Sequence, residues 1–325
     1  MLLTREQLAW VNNLTHQRLN VVHPSNFTSS AYKGNIPYSR QTLAQNKELF
    51  YQWLVGFTDG DGSFSIAYQN KKWSLIFRLA QHKSNLRVLY FIKSQLGVGN
   101  IYKESQSNMA SLVIRDRTVL NNIIFPIFDK YPLLTSKYFN YLKFKKAYSI
   151  LLAPGKGDTS LTKNQKDELM FELIKSVVPR DYISPAWTVV NNVVLNSNDA
   201  NKVMSKSWLI GFTEAEGSFY LVLKSKDRLV HGFEITQKLD LIVLSAIGYI
   251  LGIKATNKKT YYTVGTTNSR AIENIISYFS NTMKGMKSFE YRVWARSYAK
   301  YKGNFVKLTE IRKKLRGRKL LNNNT

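Results

Sequence analysis

Residues 53–64 read WLVGFTDGDGSF and residues 208–219 read WLIGFTEAEGSF. The two stretches differ only by Val/Ile, Asp/Glu, Gly/Ala and Asp/Glu exchanges, and a match of that kind within one chain marks a duplication. Asp61 and Glu216 occupy matching positions in the two copies, nearly half the chain apart. Their surroundings repeat as well. Gln81 is matched by Gln237, Leu96-Gly97 by Leu251-Gly252, Lys137 by Lys287 and Leu161-Thr162 by Leu308-Thr309, all at close to one offset.

Hydrophobic periodicity fills in each unit. A helix runs from Lys47 through the first copy and ends at Gly62, a residue suited to a left-handed C-cap. Alternating stretches at Ser63–Gln69 and Lys72–Gln81, joined by Asn70-Lys71, predict a hairpin; a helix over Asn85–Leu96 stops at Gly97. A second hairpin, Asn100–Lys103 with Ala110–Arg115, precedes helices at Thr118–Phe128 and Lys137–Leu152. The second unit repeats this order with strands at Phe219–Lys224 and Val230–Gln237, a helix over Asp240–Leu251 and a hairpin at Ala255–Val264. The expectation is an α+β fold of two pseudo-symmetric αββαββα halves, 46–152 and 208–325. A polar extension at 1–45 carries one short helix around Arg5–Leu14. A linker at 153–207 carries one helix, Thr162–Val177, and lets the halves lie side by side.

With 325 residues, the chain is long enough for each half to bury its own core. Lys and Arg number 47 against 21 Asp and Glu, a net charge of +26, which calls for a polyanionic partner, nucleic acid before membrane surface. No run approaches the roughly 20 apolar residues of a spanning helix, and MLLTREQLAWVNNL carries polar residues too early for a signal peptide. A soluble protein is expected. The absence of Cys excludes disulfides, thiolate metal sites and cysteine nucleophiles, and four scattered His argue against a His-based site. The basic run Arg312–Lys319 is read as a solvated tail with non-specific phosphate attraction.

On a helix, Gly56 and Gly60 share one face, as do Gly211 and Ala215. Small residues at this spacing let two helices approach closely, and Gly costs about 1 kcal/mol in a helix interior, so a packing gain must offset it. The simplest partner for each copy is the other copy. Pairing them brings Asp61 and Glu216 together at the helix C-termini, where like charge and both dipoles oppose them unless a cation sits between. Hard divalent ions suit two carboxylates with the backbone carbonyls of Gly60 and Ala215, water and phosphate. Such a centre hydrolyses phosphodiesters. Trp53 and Trp208 are read as core or interface anchors.

LVGFTDGDG and LIGFTEAEG resemble the two signature helices of a double-motif LAGLIDADG homing endonuclease, the type encoded in group I introns, over roughly residues 47–320. The resemblance implies four-stranded antiparallel sheets forming a saddle on the DNA major groove. It further implies Mg²⁺-dependent cleavage of a long specific target by a monomer, across the minor groove, leaving short 3′ overhangs; Mn²⁺ or Ca²⁺ can take the same place. By that resemblance Asp61 and Glu216 ligate metal, Asp59 and Glu214 cap or brace the helix interface, and Gln81 and Gln237 order water. Arg117 is the basic partner of the scissile phosphate, while the second half offers only Asn268 or Arg270, which raises the expectation of unequal strand cuts. Alternation sends Phe64, Ile66 and Tyr68 to the core and Ser63, Ser65, Ala67, Gln69, Lys72, Ser74 and Arg78 to the saddle, with Ser218, Tyr220, Val222, Lys224 and Glu234 as counterparts. Two other readings stay open: an RNA maturase assisting intron splicing, and a catalytically silent DNA-binding protein. The frequency of Asn, Lys, Ile and Tyr fits an AT-rich coding genome, and an organelle-encoded mitochondrial protein is expected.

Overall fold

The computed structural model describes residues 40–154 and 160–324; the helix expected around Arg5–Leu14 lies outside them. Residues from Gln41 onward form one unit. The first half comprises α1 (Arg40–Asp61), β1 (Gly62–Gln69), β2 (Lys72–His82), a 3₁₀ turn at Lys83–Asn85, α2 (Leu86–Leu96), β3 (Asn100–Lys103) and β4 (Met109–Ile114). It continues with α3, a helix in three joined pieces (Arg117–Val119, a π-turn at Leu120–Ile124, Phe125–Lys130), and α4 (Lys137–Leu152). After it come α5 (Lys163–Lys175), a 3₁₀ segment Pro185–Val190 and α6 (Ser197–Val203). The second half has α7 (Lys206–Glu216), β5 (Ser218–Ser225), β6 (Arg228–Gln237), α8 (Leu241–Leu251), β7 (Ala255–Asn257), β8 (Tyr262–Thr266), α9 (Ser269–Tyr278), α10 (Met286–Tyr301) and α11 (Phe305–Asn324).

Each half holds a four-stranded antiparallel sheet, ordered β1-β2-β4-β3 and β5-β6-β8-β7. Helices cover one face of each. In the first half Phe64 and Phe77 meet Phe128, Tyr141 and Phe144; in the second, Phe219 and Phe233 meet Phe279, Tyr291 and Trp294. Those aromatic layers continue into one apolar core that passes through α1 and α7. Among the described residues no helix is long and apolar enough to cross a membrane.

The predicted elements are present with shifted ends. Asn70 and Lys71 both have positive φ, 49° and 58°, the conformation of a two-residue hairpin turn, and Gly97 (φ 73°) and Gly252 (φ 67°) cap their helices in the left-handed region. Gly62 does not. It opens β1, and its lack of a side chain answers to space: a Cβ there would run into the Thr58 side chain and carbonyl, as one at Gly217 would into Thr213. The segment expected to hold one helix has Pro185–Val190 and α6 besides α5, elements of six and seven residues too short to show a period. Tyr68, expected in the core, is 37% exposed and packs at the hairpin tip against Trp73 and Phe171 of α5.

Candidate functional site

The ends of α1 and α7 touch backbone to backbone. A Cβ on Gly56 would strike the Trp208 carbonyl, one on Gly211 the Trp53 carbonyl, and one on Gly60 the Ala215 methyl. The small-residue spacing therefore performs the close approach it predicted, and symmetrically. Trp53 stacks on Phe57 and Trp208 on Phe212, at 5.1 and 4.8 Å between ring centroids, so both tryptophans are buried anchors.

The first acid of each copy is structural. Asp59 is 3% exposed and accepts hydrogen bonds from the Leu134 N–H (2.8 Å), the Thr135 N–H (3.2 Å), the Thr135 hydroxyl (2.5 Å) and, across the helix pair, Trp208 Nε1 (2.8 Å). Glu214, 2% exposed, accepts from the Lys284 and Gly285 N–H groups at 2.7 and 2.9 Å. Burial raises both carboxyls above their usual range, and these bonds oppose the rise. The interface is not symmetric here: among the described residues Trp53 Nε1 has no hydrogen-bond partner.

Asp61 and Glu216, the later acids, are half-buried at the helix ends, and a Cβ on Gly60 would lie 3.5 Å from Glu216 Oε1. Burial, then the Glu216 charge, pushes Asp61 up to about 6, against the Gln81 hydrogen bond and the Lys137 and Lys287 charges. Gln81, next to the last residue of β2, donates Nε2 to Asp61 Oδ2 at 2.5 Å. Gln237 ends β6 at the matching place, but its side chain makes no hydrogen bond among the described residues.

Two lysines complete the cluster. Lys137, the first residue of α4, donates Nζ to the Thr58 and Gly60 carbonyls at 2.9 and 2.6 Å; burial lowers its pKa, and Asp59, Asp61, Glu216 and Asp240 counter that. Lys287, in the first turn of α10, donates to the Gly217 carbonyl at 2.6 Å and lies 3.6 Å from Glu290. The sequence signal for both was their place in the repeat, where they served only to align the halves. Arg117, expected at the reacting phosphate, is not brought to the acids. It is exposed beyond Ile114, at the opposite end of β4 from Ala110, which pairs with Gln81; four strand residues span about 13 Å.

The oxygen-rich donor set suits a hard divalent cation, which would offset both the burial and the Glu216 charge that push the Asp61 carboxyl up. Among the described residues no group of three or more His, Cys, Asp or Glu side chains clusters, so further ligands would be carbonyls, water or phosphate. The Gly60 carbonyl already accepts from Lys137, leaving it one lone pair to offer. The Ala215 methyl abuts Gly60, placing the second carbonyl-bearing residue beside the first.

The uncovered sheet faces lie beside this cluster. Ladder pairs Ser63↔Arg78, Ser65↔Ile76, Ala67↔Ser74 and Gln69↔Lys72 put all seven expected first-half residues on one face, with Ile76 between them. Through β4 the same face gains Asn100 and Tyr102 of β3, a strand too short to show a period, while Ser111 between them and β2 is buried. In the second half Ser218↔Glu234, Tyr220↔Gly232 and Val222↔Val230 share a face, while a bulge between Leu223 and Ser225 takes Lys224 out of the ladder. The Tyr220 ring covers Gly232, and Glu234 accepts from Thr263 Oγ1 at 2.8 Å.

Residues 54–148 and 209–298 each match the family described as LAGLIDADG endonuclease. The chain is 40% identical over 308 residues to the probable intron-encoded endonuclease Cox1-I1b of Schizosaccharomyces pombe, covering 90% of this chain and 73% of that protein. It is 34% identical over 205 residues to the uncharacterized mitochondrial protein RF1 of Saccharomyces cerevisiae, covering 62% of this chain and 39% of that one. Among solved structures it is similar to the I-SmaMI LAGLIDADG homing endonuclease bound to cleaved DNA, with a TM-score of 0.63, 25% identity, and 81% of this chain and 97% of that one covered.

Proposed function

Because this chain belongs to the LAGLIDADG endonuclease family, we propose that it is a site-specific endonuclease that cuts both strands of double-stranded DNA as a monomer, with the two halves supplying one acid each. The observation that carries the reading is the meeting of Asp61 and Glu216 at the ends of two helices packed backbone to backbone. A protein that only bound nucleic acid would gain nothing from that repulsion. No feature of the site calls for the RNA-maturase or silent-binder readings that the sequence leaves open.

In this proposal Asp61 and Glu216 hold a divalent cation, Mg²⁺ by preference, with the Gly60 and Ala215 carbonyls nearby. When bound, that cation stabilises the charge developing on the attacked phosphate and the leaving oxygen. Gln81 fixes the Asp61 carboxylate through its Nε2 and points it along one direction. Lys137 and Lys287 each bond a carbonyl at a helix end, which holds their cationic groups close to the acids and to any phosphate that enters. The faces carrying Ser63, Ser65, Ala67, Gln69, Lys72, Ser74 and Arg78, and Ser218, Tyr220, Val222 and Glu234, read base edges in the major groove, and the remaining basic residues neutralise phosphates. Cleavage across the minor groove with short 3′ overhangs follows the family's pattern. A mitochondrial home is our reading of the composition and of the fungal relatives.

The test is Asp61→Asn and Glu216→Gln on a duplex carrying the target, found by selecting cleaved molecules from a randomised library. Either change should abolish cleavage while binding stays within about threefold, since neither acid is among the residues of the uncovered sheet faces. Cutting at the wild-type rate by the double variant refutes the assignment.

A further inference from the structure

The lysines at the acids sit on helices whose first turns are each held by the opposite half. Asp240, just ahead of α8 in the second half, accepts the Ser136 N–H at 2.6 Å and the Ser136 hydroxyl at 2.9 Å. Ser136 is the residue before α4, which opens at Lys137. In the first half Asn85, just ahead of α2, accepts the Met286 N–H at 2.8 Å; Met286 opens α10 and precedes Lys287. Neither Asp240 nor Asn85 caps its own helix with its side chain.

Two further observations mark these contacts as built. Asp240 adopts φ 67°, a conformation that non-glycine residues take at some cost and that Asp tolerates better than most. On the other side, Gly285 has no room for a side chain, because a Cβ there would meet Asn85 Oδ1, Glu214 Oε1 at 2.9 Å and Val88 Cβ at 3.1 Å.

We propose that Asn85 and Asp240 are crossed positioning residues, each setting the place of the other half's lysine, Lys287 and Lys137 respectively. The crossing is unequal. Asn85 Nδ2 also donates to Gln81 Oε1 at 2.6 Å, and Gln81 holds Asp61, so one chain of bonds joins the acid of the first half to the lysine helix of the second. In the second half Gln237 makes no such bond, and Asp240 acts on the start of α4 alone. A carboxylate at the first turn of α4 also favours the helix N-terminus and the Lys137 charge. Met286 receives a neutral amide oxygen instead, and Lys287 has Glu290 nearby.

The proposal rests on the endonuclease reading, and the experiment has one arm with cleavage and one without. Single-turnover cutting is followed on duplex labelled separately on each strand. Asp240→Ala should slow one strand by about tenfold or more and leave the other within about twofold, and the slowed strand should be the one that Lys137→Met slows. Adding Asp240→Ala to Lys137→Met should cost little further, whereas adding it to Lys287→Met should multiply the losses. Asn85→Ala should slow both strands, and Asp240→Asn, which keeps one acceptor oxygen for the Ser136 N–H, should recover part of the rate. In DNA-free protein, hydrogen exchange should rise at the start of α4 in Asp240→Ala and not at the start of α10, with the reverse in Asn85→Ala. If Asp240→Ala does not fold, Ser136→Ala removes the hydroxyl bond alone and should give the same strand bias at smaller size. Equal slowing of both strands by Asp240→Ala, coupling to Lys287 instead of Lys137, or unchanged exchange at the start of α4 overturns the proposal. Absence of cutting by the wild-type protein overturns the endonuclease reading, while exchange still decides whether the clasps are crossed.

Discussion

Placing one methyl group at position 211 tests whether the backbone contact between α1 and α7 sets the active geometry. In Gly211→Ala the new Cβ would fall on the Trp53 carbonyl, with Phe57 N 2.9 Å away; both are backbone atoms fixed inside a helix, so no side chain can swing clear. Restoring ordinary contact requires the helices to part by about 1 Å. Alanine in place of glycine favours the helix by about 1 kcal/mol. Overpacking a rigid interior costs roughly 1–3 kcal/mol, and a backbone clash belongs at the top of that range, leaving a net loss of about 2 kcal/mol. The functional loss should be larger in proportion, because a displacement of about 1 Å at reacting groups costs on the order of 100-fold. Urea unfolding and single-turnover cleavage at saturating Mg²⁺ measure the two. Gly97→Ala is the control: that residue has φ 73° with nothing within 4 Å, so the change strains the backbone by about 1–2 kcal/mol without touching the helix pair. The reasoning is refuted if Gly211→Ala cuts within threefold of wild type, or if Gly97→Ala slows cleavage as much.

His231 is 3% exposed, with Nε2 2.8 Å from Ser297 Oγ; burial first and the Lys302 charge second lower its pKa to about 4. Above pH 6.5 it is neutral folded or unfolded and contributes no pH dependence; from there down to about pH 4 the unfolded chain takes up a proton that the folded one refuses. Stability should thus fall by up to about 3 kcal/mol across that window, and His231→Gln should flatten the fall in urea melts at pH 7 and 4.5; parallel curves would contradict this. Glu234 sets a negative charge on the uncovered face of the second sheet, held by Thr263 Oγ1. Glu234→Gln should tighten binding to random duplex and steepen the plot of log affinity against log salt by up to about one unit, and an anisotropy titration showing weaker binding would count against that face meeting DNA.

Much of this molecule was legible because duplication checks a reading against itself. Gly56 matched by Gly211 pointed to the helix pair, and alternation in β1 and β2 placed all seven first-half saddle residues on the face where the ladder puts them. What escaped depended on contacts distant in the chain. Lys137 stood out only as the repeat partner of Lys287, with no sign of its role, since its two carbonyl partners lie 77 and 79 positions back. Arg117 was misplaced because a residue just beyond a strand can lie at either end of the sheet, and only the register of β4 shows that it runs away from Gln81. Lys224 left its expected row through a bulge, which no period of two reveals.

The motif that opens each half therefore explains proximity but not orientation. Backbone contact at Gly56 and Gly211, and the Ala215 methyl against Gly60, bring Asp61 and Glu216 to one place, and nothing in those contacts decides where their neighbours point. Orientation comes from polar side chains outside the motif, and those are where the copies have diverged. Among the described residues, Asp59 takes a hydrogen bond from Trp208 while Trp53 Nε1 gives none to Glu214, and the Gln81 side chain is tied to Asp61 while that of Gln237 makes no hydrogen bond; an aspartate holds the helix of Lys137 and an asparagine that of Lys287. A symmetric homodimer cannot acquire such differences, because any change appears twice. Once both halves reside in one chain, each can be adjusted to a different DNA half-site and a different strand, and inequality between the cuts becomes a property that single substitutions can tune.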